Sequence, residues 1–196
     1  MWQRQCLSEI RAQPWRNGQG VTRLIAEETT SGAGLQWRLS VADILDDAPF
    51  SRFPGWWRYF AILSQGEVAL SAKDKSWCHL IKNKNSPIEF SGDEDVLSAC
   101  SAGGVQALNL MIKDEKNNVK KIDFSFFDKQ FSFSGKKKGT QRVFIFPSGG
   151  RWVLSRNDSS DMRLLPGEVW SCVVSDNSEN ILIPQEKESS LFRIIL

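Results

Sequence analysis

A chain of 196 residues with 41% hydrophobic and 24% charged residues has an ordinary globular composition, which excludes wholesale disorder and fibrous architectures. Its 25 basic and 23 acidic residues leave a net charge of +2, too balanced for the positive field that sequence-independent nucleic-acid binding needs. No window approaches the ~18 uninterrupted apolar residues of a membrane-spanning helix, and the opening MWQRQCLSEIRAQPW lacks the apolar run and cleavage site of a secretory signal. A cytoplasmic protein without nucleic acid or membrane as partner is therefore expected.

In chain order, short runs rich in β-branched and aromatic residues, bounded by Gly, Pro, Ser, Asn or Asp, predict strands over residues 35–41, 57–63, 67–71, 108–112, 122–127, 141–146, 152–155, 169–174 and 181–183. Helical periodicity is confined to 41–46 and 94–99, enough for a turn or two. The fold class that follows is all-β, a sandwich or barrel with little helix. Unpaired edge strands in such a fold offer a route to a homodimer.

Two segments repeat. RYFAILSQGEVALS, from Arg58 to Ser71, and RVFIFPSGGRWVLS, from Arg142 to Ser155, align without gaps and share Arg58/Arg142, Phe60/Phe144, Ser64/Ser148, Gly66/Gly150, Leu70/Leu154 and Ser71/Ser155. A weaker match sets Phe90-Ser-Gly-Asp93 beside Leu165-Pro-Gly-Glu168. The repeat predicts two similar β modules, one over 1–112 and one over 113–196. Between the strands lie the polar stretch 114–121 and the loop 128–139, whose run Lys136, Lys137 and Lys138 reads as a solvated hairpin tip.

The single histidine, His79, rules out a multi-histidine metal site, and no Cys or carboxylate spacing supports another, so neither metal nor cofactor is expected. His79 reads as a surface or edge residue. The same scarcity removes Ser-His-Asp and Cys-His catalysis. Gly18-Gln19-Gly20 is too short for a dinucleotide fingerprint, and the pairs Glu27-Glu28 and Asp46-Asp47 read as solvated faces. Cys6, Cys78, Cys100 and Cys172, far apart and without CxxC pairs, read as buried free thiols.

The distinctive residues are the Trp, Arg, Asn and Gly of four stretches: PWRNGQGVTR from Pro14, WRLSVA from Trp37, FSRFPGWWR from Phe50 and LNLM from Leu108, with FSGD from Phe90. In order and approximate spacing these resemble the motifs of the HutD/Ves family over about 14–111, with looser likeness beyond. Gln19, Leu24 and Ala107 depart from the family pattern. The resemblance implies a double cupin β-sandwich. It also implies an association with histidine utilisation, where sensing of an intermediate such as urocanate or formylglutamate has been suggested, and with stress response in the Ves branch.

Within such a barrel Arg58 offers a planar fork of donors suited to a carboxylate. Trp15, Trp37, Phe53 and Trp56 would supply apolar walls, and Asn17, Thr22 and Asn109 neutral hydrogen bonds. Two roles stay open for Arg58, ligand anchor or neutraliser of a buried acid, and two for each Trp, wall or core. The expected function is binding of a small anionic metabolite in a regulatory or sensing role. The alternatives are a metal-independent isomerase or hydrolase using Arg58 and a carboxylate base, and a partner-binding module with an exposed apolar patch.

Overall fold

The computed structural model describes residues 1–15, 17–32, 34–82, 86–113, 122–135, 140–156, 159–174 and 179–196. Among them the structure is almost wholly β, with one 3-10 turn at Leu7–Glu9, and no helix is long and apolar enough to cross a membrane. The two segments expected to support helical turns lie largely within strands instead, because 41–44 pairs with 105–108 and 96–99 with 69–72.

The chain divides into two compact units, residues 10–121 and residues 1–9 with 122–196. Against the expected boundary at 112/113, residues 1–9 group with the C-terminal part and the division falls at 121/122. Strand β1 (Gln3–Cys6) pairs antiparallel with a strand near the C-terminus, Gln3 opposite Ser171, and the Trp2 indole donates to Asn180 Oδ1.

In the N-terminal unit β2 (Ala12–Pro14), β3 (Gly20–Thr30) and β4 (Gly34–Ile44) are followed by β5 (Ala48–Pro49), β6 (Trp56–Ile62) and β7 (Glu67–Ala72). Then come β8 (Cys78–Lys82), β9 (Ile88–Ser91), β10 (Val96–Cys100) and β11 (Val105–Lys113). They form a six-stranded sheet, β2-β3-β4-β11-β6-β9, and a four-stranded sheet, β5-β10-β7-β8. The sheets share a core in which Ala42, Ile44, Phe60, Ile62, Val105 and Ala107 of the large sheet meet Val68, Leu70, Ile81 and Val96 of the small one. Each set follows the period of two that a half-buried strand demands.

The C-terminal unit repeats the plan with β12 (Asp123–Phe127), β13 (Phe131–Phe133), β14 (Gln141–Gly149), β15 (Trp152–Arg156), β16 (Ser159–Leu164), β17 (Glu168–Val174), β18 (Asn180–Pro184) and β19 (Ser190–Ile195). Its sheets are β1-β17-β14-β19-β12 and β13-β18-β15-β16. Strand β13 lies inside the segment expected to be a loop; residues 114–121 and 136–139, including the lysine run, lie outside the described residues.

The repeated segments are β6–β7 and β14–β15. Neither is a hairpin: the first strand of each belongs to the large sheet and the second to the small one, so the Gly-containing turn carries the chain from sheet to sheet. Leu70 and Leu154 occupy equivalent positions, opposite Ser98 and Leu182. In the preceding strand the aligned residues fall one out of step. Arg58 stands opposite Met111 and Phe90, whereas Arg142 stands opposite Val173. A bulge between Pro147 and Gly149 takes up the extra residue, and a one-residue step moves every side chain to the other face. Arg142 is accordingly exposed while Val143 is in the core.

All four cysteines are free. Cys172 is buried, Cys6 and Cys100 are half-buried, and Cys78 is exposed, contrary to the expectation that all would be internal. His79 is exposed on the edge strand β8 and packs against Trp77, ring centroids 5.4 Å apart.

Candidate functional site

At one end of the N-terminal unit the core gives way to a cavity of about 630 Å³ between the two sheets. Its sheet wall is a grid set by register. One row reads Arg58, Met111, Arg38 across β6, β11 and β4, and the next reads Phe60, Asn109, Ser40. All six line the cavity, because alternate residues of adjacent strands point to the same face.

The loop 50–55 closes one side. Phe53-Pro54-Gly55-Trp56 is a tight turn in which the Trp56 N–H donates to the Phe53 carbonyl at 3.1 Å. Pro54 and Gly55, with φ of 76°, take the two central positions of a type II turn, the second of which needs positive φ. The FSGD segment holds this turn in place. The Phe53 N–H donates to the Gly92 carbonyl and the Gly92 N–H to the Trp56 carbonyl, both at 2.7 Å. A Cβ on Gly92 would lie 2.5 Å from the Phe53 carbonyl oxygen, so the approach requires glycine.

The opposite side is the β2–β3 turn. The Trp15 N–H donates to the Gly20 carbonyl at 2.9 Å, and its indole donates to Thr22 Oγ1 at 2.8 Å, which fixes the ring against the cavity. Asn17 Oδ1 accepts from the Gln19 N–H at 3.1 Å, and the Gln19 side chain donates to the Asp47 carbonyl at 2.7 Å. Gln19, one of the departures from the family pattern, thus ties this turn to the chain after β4. Arg16 lies outside the described residues.

Arg58 is 6% exposed. Its Nε and Nη2 donate to Asn109 Oδ1 at 3.4 and 3.3 Å, and Nη1 donates to the Ser51 carbonyl at 3.4 Å. The guanidinium carbon sits 4.8 Å from the Phe50 ring centroid, 5.1 Å from Phe90 and 5.8 Å from Phe53, cation–π distances. Among the described residues it has no carboxylate partner. Burial without a counter-ion pushes its pKa down to about 10, which still leaves it cationic at neutral pH. All three hydrogen bonds are long, and of five guanidinium N–H donors two remain, one on each Nη.

The structure brings Trp15, Asn17, Thr22, Phe53, Arg58 and Asn109 together around the cavity. It does not bring Trp37 or Trp56 to the lining. Trp37 is buried on the opposite face of β4, its indole bonded to Glu28. In Trp-Arg-Leu-Ser-Val-Ala it is Arg38, Ser40 and Ala42 that face the cavity, an alternation legible in the sequence that points to Arg38 rather than Trp37. Trp56 contributes its backbone to the turn. Sequence reasoning also missed Phe50, Phe60, Ser40 and Met111.

No carboxylate, histidine or cysteine appears among the described lining residues, and no group of three or more such residues elsewhere among them is placed to hold a metal ion. Two guanidiniums with neutral hydroxyl and amide groups repel a divalent cation, so the donor set does not fit the metal that many β-barrels of this plan hold. The same absence leaves the carboxylate base of the enzyme alternative without a candidate at the cavity.

The C-terminal unit also carries a buried arginine, Arg193, opposite Ile145 and Ser125. That arginine is ion-paired with Asp123 and packed over Phe127, Phe131 and Phe133 at 4.9–5.4 Å. Trp152 stands where the N-terminal unit has Val68, two residues before the equivalent leucines, so bulk occupies the corresponding interior.

Two-sheet β-barrels of matching topology in each half of one chain define a double cupin. The fold agrees: the chain superposes with a cupin 2 conserved barrel protein from Leptotrichia buccalis at a TM-score of 0.56, with 14% identity and coverage of 99% of this chain and 95% of that one. The chain belongs to the HutD family, whose match spans residues 7–192. It is 32% identical over 150 residues to Protein Ves of Citrobacter koseri, covering 74% of each chain. The structure of HutD from Pseudomonas fluorescens superposes at a TM-score of 0.78 with 18% identity, covering 100% of this chain and 98% of that one. A conserved protein of unknown function from Pseudomonas aeruginosa does so at 0.77 with 18% identity, covering 99% and 97%.

Proposed function

We propose that the N-terminal barrel binds a small carboxylate metabolite of the urocanate or formylglutamate kind, with Arg58 as anchor, and that the protein serves a regulatory or sensing role. The observation that carries this reading is a charged, buried guanidinium that borders a cavity and has no acid of its own among the described residues. A carboxylate arriving there gains a charge-assisted pair in a partly dry site and relieves an existing desolvation penalty. Phe50, Phe53, Phe60 and Trp15 supply flat apolar walls, and a cavity of about 630 Å³ falls within the range of small-molecule sites.

A ligand that prefers the folded state raises its melting temperature. Thermal-shift titration with urocanate, formylglutamate, glutamate and formate is expected to give a saturable upward shift for at least one of them. Calorimetry on the responding acid should then show binding without turnover. Failure of all four acids at millimolar concentration would defeat the proposal.

A further inference from the structure

From the row Arg58–Met111–Arg38 we infer that the ligand is a diacid, with one carboxylate held deep by Arg58 and the second held near the mouth by Arg38; this inference rests on the carboxylate reading above. Met111 pairs with Arg58 on one side and with Arg38 on the other. The two arginines therefore start in one row two strand spacings apart, roughly 10 Å between Cα atoms.

Arg38 lines the same cavity as Arg58 and is half-buried where Arg58 is buried. Its guanidinium has neither a hydrogen-bond nor an ion-pair partner among the described residues. Glu27 lies directly opposite it on β3, yet the two form no ion pair. Placing two like charges in one apolar hollow raises the energy of each. A molecule with two negative ends separated by a short apolar chain answers both, its middle lying along Met111 and the Phe60 ring. A monoacid would leave Arg38 uncompensated.

The test compares glutarate with pentanoate, which replaces one carboxylate by a methyl group at the same chain length. Calorimetry on the full chain is expected to show glutarate binding about tenfold more tightly, the worth of one half-exposed charge-assisted contact. In Arg38→Gln that ratio is expected to fall close to one, and in Arg38→Lys to recover in part, with thermal melts confirming that both variants fold. A ratio near one in the native chain, or an undiminished ratio in Arg38→Gln, overturns the diacid inference while leaving the carboxylate site standing. Absence of binding by both acids in the native chain removes the carboxylate reading and this inference with it.

Discussion

Replacing Arg58 by Met separates a ligand anchor from a structural ion. Burial lowers the Arg58 pKa from the ordinary guanidinium value to about 10, so the charged form costs the ligand-free fold on the order of 3 kcal/mol relative to water. Against this stand three hydrogen bonds of 3.3–3.4 Å and the contacts with Phe50, Phe90 and Phe53. The bonds are too long to be strong, and each is worth at most about 1 kcal/mol net. Methionine keeps the stem's packing, removes the charge and leaves Asn109 Oδ1 facing a cavity that water can enter. The ligand-free variant is therefore expected to be as stable as the native chain or more so, by about 1 kcal/mol, a rise of roughly 3 °C in Tm, while the carboxylate-induced shift disappears. Chemical denaturation with and without ligand measures both. A loss of about 3 kcal/mol or more in the ligand-free protein, the signature of breaking a buried ion pair, would refute the reasoning.

The lowered pKa also sets a pH dependence. A base whose folded-state pKa lies below its unfolded value burdens the fold while charged, so the penalty is present at neutral pH and is relieved as pH rises from about 10 towards the ordinary guanidinium value. Carboxylate affinity runs the other way, flat through neutrality and declining as pH rises through about 10, which calorimetry across a pH series would reveal. Gly92→Ala would drive a Cβ against the Phe53 and Trp56 carbonyl oxygens at 2.5 and 2.9 Å. It is expected to cost about 2 kcal/mol and to weaken ligand binding by displacing Phe53, as read by denaturation and thermal shift. Asp123→Ala leaves Arg193 buried without its partner. Because Asp123 is 43% exposed, the expected loss is about 2 kcal/mol, near 6 °C in Tm, the opposite sign to Arg58→Met.

Much of this protein is legible in its amino-acid order. Period-two runs locate nine of the strands, and the duplicated segment announces two modules because each barrel needs the same turn from large sheet to small. The motif stretches point to Arg58, Asn109, Thr22 and Trp15 because those loops and strands converge on one barrel end. Not read from the sequence are the other ten, β1, β2, β3, β5, β8, β9, β10, β13, β16 and β19. β1 is short and pairs with a strand far along the chain, β5 and β13 span two and three residues, and most of β10 lies in the segment whose periodicity suggested a helical turn.

What the residues determined by themselves is the class of fold and the chemistry on offer: alternation dictates sheets, and one histidine forbids a multi-histidine metal site. Tertiary structure alone decided which arginine is which. The bulge after Pro147 turns Arg142 outward and Val143 into the core, and Asp123 neutralises Arg193. Arg58 and Arg38 meet in one row because β11 runs between their strands. Register and burial are long-range properties, settled by which strands pair, and they set whether a guanidinium is a solvated charge, half of an ion pair or a cation still in want of an anion.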